Sequence, residues 1–185
     1  MHVAGAAVPG RGALRFLQVG ASLEAPGVSR PRSLHGQGGC SMPTHVLIVC
    51  TGNICRSPMA EVVLRHQLQG RAVSIESAGL VAMSGNPIDP LAEAVLSAHG
   101  LSGRLHVARQ INPAIIAAAD LVLAMEKRHL SALHALSPSM RGRAFLLGKW
   151  QGDAEIMDPY GRERPAFERA YESMQAALSG WNTHF

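Results

Sequence analysis

From residue 44 onward, short apolar runs alternate with amphipathic stretches. His45-Val-Leu-Ile-Val49 has strand length and ends at Cys50. Ser57-Pro58 then opens a helix that runs to about Gly70, with Ser57 as N-cap, Pro at its tolerated first position and Glu61 in the first turn. Residues 72–77 alternate and predict a second strand. A helix over 90–99 is closed by Gly100, and Asn112-Pro113 starts another. Asp120-Leu-Val-Leu-Ala-Met125 predicts a third, buried strand, followed by a helix over 126–136. Ala144-Phe-Leu-Leu147 predicts a fourth strand, and after a polar loop to Arg164 a last helix covers 165–178. Strands alternating with helices predict an α/β fold with a parallel sheet covered on both faces. Ligands of such sheets bind beyond the carboxyl ends of the strands, where Cys50 stands. There is no internal repeat.

Residues 1–41 follow no such pattern. They are rich in Gly, Ala, Pro and Ser, show no sustained period and carry few large apolar residues. They offer little to offset the entropy of ordering a backbone, and are expected to form a disordered extension. Arg11 and Arg15 with the neighbouring glycines break every candidate secretory h-region. An Arg-rich, acid-poor start loosely resembles an organellar transit peptide; the alternative is an artefact of an early start codon, with Met42 directly before the first strand. The expected organisation is therefore an extension over 1–41 and one domain over 42–185.

Charge sharpens this division. The 185 residues carry 17 Lys+Arg and 13 Asp+Glu, a net of +4. Residues 1–41 hold four arginines against Glu24 alone, which leaves only +1 on the main domain and removes the argument for nucleic acid. Pro113 to Met125, the longest apolar candidate, is interrupted by Asp120 and too short to span a bilayer, so no membrane insertion is expected. Three cysteines, Cys40, Cys50 and Cys55, do not make a disulfide scaffold and fit a reducing, cytoplasmic compartment.

The stretch Cys50-Thr-Gly-Asn-Ile-Cys-Arg-Ser57 joins a buried strand to a helix N-terminus. Unpaired N–H groups and the positive dipole end there favour an anion, and Gly52 lets the loop curl into a phosphate nest. A thiol in that field is expected to drop from about 8.5 into the range of roughly 3.5–7.5. Arg56 offers a planar fork for two phosphoryl oxygens. Taken singly, Cys50 is more often a small buried apolar residue and Arg56 a solvated charge. In one strand–loop–helix unit they point to phosphate chemistry.

These residues resemble the low-molecular-weight protein tyrosine phosphatases. The match rests on Cys50-x5-Arg56-Ser57 with its flanks Gly52-Asn53, Ser57-Pro58 and Ala60-Glu61. It continues at Glu76-Ser-Ala-Gly79, His106-Val-Ala-Arg-Gln110, Met125-Glu-Lys-Arg-His129 and Asp158-Pro-Tyr160, covering residues 44–180. It is most similar to bacterial members associated with capsule and exopolysaccharide export. The resemblance implies a three-layer, flavodoxin-like fold with a four-stranded parallel sheet of order 2-1-3-4. It implies Cys50 as nucleophile through a phosphocysteine intermediate, Arg56 with the loop Thr51, Gly52, Asn53, Ile54, Cys55 and Ser57 as the phosphate cradle, and Asp158 as general acid. Ser57, Asn53, Ser77 and His106 would support the loop, and Tyr160 would line the substrate rim. No cofactor or metal is implied. The implied partner is a phosphotyrosine protein, a tyrosine autokinase of polysaccharide export.

Other readings of these residues remain at this stage. Asp158 before Pro159 also suits an ordinary turn, and Asp153 and Glu155 are rival carboxylates. Ser57 doubles as an N-cap, His106 as a loop histidine and Tyr160 as an exposed turn residue. Cys55 matches a second loop cysteine found in many relatives, where it can pair with the nucleophile; the sequence leaves open whether Cys50 and Cys55 do so here. Tyr160 is followed by Gly161 where many relatives have a second tyrosine, and Leu80-Val-Ala-Met-Ser84 lacks the aromatic that some place on the substrate wall. An arsenate reductase of the same fold needs two further cysteines, and none follows Cys55. A non-catalytic phospho-ligand module would be favoured by loss of Cys50, Arg56 or Asp158. Zinc and nucleotide sites lack their spacings.

Overall fold

The structure, a computed structural model, describes residues 43–185; the expectations for residues 1–41 and Cys40 lie outside this range. Four strands, β1 (His45–Cys50), β2 (Ser74–Gly79), β3 (Leu121–Ala124) and β4 (Ala144–Leu146), form one sheet of order β2-β1-β3-β4. All three pairings are parallel. The helices are α1 (Arg56–Gln67), α2 (Pro90–Ala98), α3 (Pro113–Ala118), α4 (Lys127–Leu136) and α5 (Arg164–Ser179).

The apolar runs explain the layering. Side chains alternate across a strand, so Val46 and Ile48 face one side and Leu47 and Val49 the other. The first pair belongs to a core with Met59 and Leu64 of α1, Leu96 of α2, and Phe167, Tyr171 and Met174 of α5. The second belongs to a core with Ile116 of α3 and Leu133 of α4. β1 is buried from Val46 to Cys50 and β3 throughout, as a strand covered on both faces requires. The strand order puts β1 in the interior, with Cys50 paired to Gly79 and Val49 to Ala124. The ends of β2 and β3 thus flank the start of the loop after Cys50.

Three sequence expectations move. Glu61 lies beyond the first turn of α1, which carries no acidic residue, because the helix begins at Arg56. The second strand begins at Ser74 rather than residue 72, because Ser74 N–H bonds to Thr44 O at 2.7 Å and the Ser77-Ala-Gly79 end is what pairs with Ile48–Cys50. Ser57 is not the N-cap of α1. The helix starts at Arg56 after Cys55, with no side-chain cap, and the Ser57 hydroxyl is engaged elsewhere. Asp89 and Asn112 do cap α2 and α3, accepting from Leu91 and Ala92 N–H and from Ile115 N–H respectively.

Gly79 is set by close approach rather than by a turn. A Cβ there would stand 2.6 Å from the Thr51 carbonyl oxygen and 2.9 Å from Ala82 Cα, both backbone atoms. Gly79→Ala should therefore push the loop after Cys50 away from the sheet. It should cost about 1–3 kcal/mol in urea unfolding and weaken inorganic phosphate binding to the folded protein; an unchanged unfolding midpoint would show that the loop yields without strain.

Candidate active site

The segment Thr51–Cys55 leaves the centre of the sheet and returns as α1. Its carbonyls are drawn outward by the following strand's continuation: Leu80 N–H donates to Cys50 O, Val81 to Thr51 O, Met83 to Gly52 O and Asp89 to Ile54 O, at 2.8–3.0 Å. A loop whose carbonyls are held on its outer side presents its N–H groups on the inner one. Asn53 adopts φ 56°, one of two described non-glycine residues with positive φ. That region costs most side chains energy but suits Asn.

Asn53 is fully buried and holds the loop through both ends of its side chain. Its Nδ2 donates to Ser57 Oγ and to Ser77 Oγ, each at 2.9 Å, while its Oδ1 accepts from Arg109 N–H at 2.9 Å. Its carbonyl lies 2.7 Å from His106 Nε2, which must carry the hydrogen because a carbonyl only accepts. Its own N–H points at Cys50 Sγ, 3.3 Å away.

Proton directions then follow. Ser77 donates its hydroxyl hydrogen to Glu61, which also pairs with Arg65 at 2.7 Å. Ser77 Oγ is left to accept from Asn53, and the other Asn53 hydrogen goes to Ser57 Oγ. The Ser57 hydroxyl hydrogen is thereby free for Cys50 Sγ, at 3.0 Å. The thiol sulfur sits between two donors at the head of α1.

Arg56 is only 1% exposed. Its Nη1 donates to Glu126 and, at 2.9 Å, to Ile156 O, while its Nη2 donates to Asp158 Oδ2 at 2.5 Å. A buried guanidinium without such partners would be costly. Burial alone would raise the Glu126 carboxyl, but hydrogen bonds from Arg128 and Arg56 more than offset this and hold it below the usual range. Burial, with the Arg56 charge adding to it, pulls the neighbouring His129 down to about 4, leaving its ring neutral at ordinary pH. Burial also pushes the Cys55 thiol far up, aided by the charges of Asp89 and Cys50. Cys50 and Cys55 are both free.

Cys50, Thr51, Gly52, Ile54, Arg56 and Asp158 line one cavity of about 170 Å³, with Val81, Met83 and Tyr160 at its walls. Tyr160 is 55% exposed. A larger cavity, about 530 Å³, lies behind Ser77 and His106 and does not include Cys50. Size favours the second as a ligand site, chemistry the first; the thiol and the guanidinium decide. Of the site residues expected from the sequence, Cys50, Thr51, Gly52, Ile54, Cys55, Arg56, Asp158 and Tyr160 line the smaller cavity. Asn53 and Ser57 bond to the Cys50 sulfur, while Ser77 and His106 bond to Asn53 and line the larger cavity. Asp153 and Glu155 do not line the smaller cavity; they are exposed, with Glu155 capping Lys127 N–H. Glu61, Arg109 and Glu126 were not singled out. Glu126 follows the carboxyl end of β3, the strand beside β1, which was the available signal. Among the described residues no group of three or more His, Cys, Asp or Glu could hold a metal ion.

Two measurements probe this arrangement. Asn53→Ala and Asn53→Gly both lose the side-chain bonds, but only alanine keeps the positive-φ strain. Both should destabilise by roughly 2–4 kcal/mol, with glycine about 1 kcal/mol better; alanine equal to or better than glycine would remove strain from the account. His129 is faced by Arg56, Glu126, Arg128 and Asp158. Because its folded value lies below the unfolded one of about 6.5, the unfolded chain binds more protons between the two and stability rises with pH there. Urea midpoints should fall from pH 6.5 to 5, and His129→Gln should flatten that slope.

The family profile described as "Low molecular weight phosphotyrosine protein phosphatase" matches residues 45–185. The low molecular weight protein-tyrosine-phosphatase Wzb of Salmonella typhimurium is 44% identical over 136 residues, covering 74% of this chain and 90% of Wzb. The crystal structure of the Erwinia amylovora tyrosine phosphatase AmsI superposes with a TM-score of 0.72 at 42% identity, over 76% of this chain and 92% of AmsI. Vibrio vulnificus Wzb in complex with benzylphosphonate superposes with a TM-score of 0.73 at 35% identity, over 77% and 99%. Profile, relatives and sheet topology agree: the chain belongs to the low molecular weight phosphotyrosine protein phosphatase family.

Proposed function

We propose that this protein is a protein-tyrosine phosphatase that cleaves phosphotyrosine in two steps on Cys50. The observation that carries the proposal is the convergence of the Cys50 sulfur, its two donors, the buried Arg56 and Asp158 on one small cavity. The Cys50 thiolate attacks phosphorus, a P–S bond forms, and the P–O bond to the phenol breaks with its electron pair leaving on oxygen. Asp158 gives that oxygen its proton. Water then attacks the phosphocysteine, losing a proton to Asp158, and the sulfur leaves as thiolate, met by the Ser57 hydroxyl hydrogen. Arg56 and the inward N–H groups take the equatorial oxygens as charge develops.

The apolar walls suit the aromatic ring of the substrate. Val81 and Met83 line the cavity, and the exposed Tyr160 completes the rim. A related Wzb binds benzylphosphonate, a phosphonate on an aryl-methyl group. The pathway part of the proposal, action in the cytoplasm on a tyrosine autokinase of polysaccharide export, rests on relatedness to Wzb and AmsI. Among the described residues no helix is long and apolar enough to cross a membrane.

Purified protein should hydrolyse p-nitrophenyl phosphate in the presence of EDTA, and Cys50→Ser should abolish turnover. Asp158→Asn should slow phenyl phosphate by about 10²–10⁴-fold and p-nitrophenyl phosphate, whose leaving group is acidic, far less. Equal losses on both substrates would take the proton-donor role from Asp158.

A further inference from the structure

Thr51 brings more than its backbone to the loop. Its Oγ1 lies 3.0 Å from Nε2 of His129, and Thr51 is partly exposed on the wall of the Cys50 cavity. His129 is only 2% exposed, and its Nδ1 has no hydrogen-bond partner among the described residues. Burial and the Arg56 charge keep the ring neutral, so one hydrogen must be assigned to one of two nitrogens. On Nδ1 it would be a buried N–H without an acceptor, which folded proteins rarely tolerate, whereas an unused lone pair costs less. Glu126 Oε1, 3.8 Å from Nε2, adds negative charge on that side of the ring. Both arguments place the hydrogen on Nε2, donating to Thr51 Oγ1. A hydroxyl has a single hydrogen. That of Thr51 is then uncommitted, beside a cavity that also holds Cys50 and Arg56.

We propose that the Thr51 hydroxyl is a further donor to a phosphoryl oxygen bound in this cavity, and that His129 is the positioning residue that directs it. The inference rests on the phosphatase reading for its ligand class, a tetrahedral phosphoryl group. It adds to that reading a side-chain donor beyond the loop N–H groups and Arg56, controlled from the β3–α4 junction. The same junction supplies Glu126 to Arg56, so one turn of chain orients two separate donors on the phosphoryl group.

Inorganic phosphate is the probe, followed by calorimetric titration and as a competitive inhibitor of p-nitrophenyl phosphate hydrolysis. Thr51→Val should weaken phosphate binding about tenfold, the usual worth of one hydrogen bond to a charged acceptor. Thr51→Ser keeps the hydroxyl and should remain close to the wild type. His129→Leu should lose most of the same affinity, and His129→Gln, with an amide N–H reaching toward the place of Nε2, should recover it. The double variant Thr51→Val with His129→Leu should bind no more weakly than Thr51→Val alone, because both remove one donor. Wild-type affinity in Thr51→Val, or losses that multiply in the double variant, would overturn the proposal. If Thr51→Val fails to fold in a thermal melt, the Leu and Gln variants at His129 decide it: equal phosphate affinities overturn the relay. A wild-type protein that binds phosphate but hydrolyses no aryl phosphate would sink the phosphatase reading while the titrations still report on Thr51.

Discussion

A single buried amide organises this molecule. Asn53 sits in left-handed backbone at zero exposure, and its side chain ties together the loop, α1, β2 and the segment carrying Arg109. The fixed polarity of the amide makes it more than a tether. Its oxygen accepts and its nitrogen donates, so the hydroxyls around it have no choice of direction. Glu61 anchors one end of the chain of donors by taking the Ser77 hydrogen. At the other end Ser57 is turned toward Cys50. Removing the amide would strand several polar groups away from water, each at a cost of about 1–3 kcal/mol.

The sheet converts distant sequence into this neighbourhood. Because β1 lies between β2 and β3, the residues just past three strand ends meet: Cys50 and its loop, Gly79 with the segment that holds the loop carbonyls, and Glu126 against Arg56. Arg56 is buried at the start of α1 and so repelled by the helix dipole. Two carboxylates and a carbonyl meet that cost. The hydrophobic cores on either face keep the strands in register, and register alone decides whether these groups face each other.

Much of this was legible in residue order. The continuous apolar runs at 45–49 and 120–125 declared strands buried on both faces, and Cys50 through Ser57 declared a loop that brings a thiol and a guanidinium fork to a helix start. The capping role of Ser57 was misread because a Ser-Pro pair fits a helix start well, yet a stronger demand, from Asn53 and Cys50, takes its hydroxyl. The start of β2 was misplaced because Ala72 and Val73 continue the alternation while the pairing with β1 begins only at Ser74. Glu126, His129 and Arg109 lie within the matched motifs, and Glu126 follows a strand end, but their roles at the site are not legible there for a different reason. Their importance depends on strand adjacency and on the direction of single hydrogens, and neither leaves a period or spacing in the chain.

The two carboxylates on Arg56 are tethered unequally. Glu126 is fixed at the start of α4, directly after a central strand, and shares a second arginine. Asp158 hangs from the long stretch between β4 and α5, with over a third of its side chain in water. An incoming oxyanion that competes for the guanidinium will exchange with the partner that is cheaper to release, and chain entropy makes that Asp158. Ligand entry and liberation of the carboxylate thus become one event. Under the proposed mechanism, the length of that stretch rather than a moving domain would set when Asp158 is released.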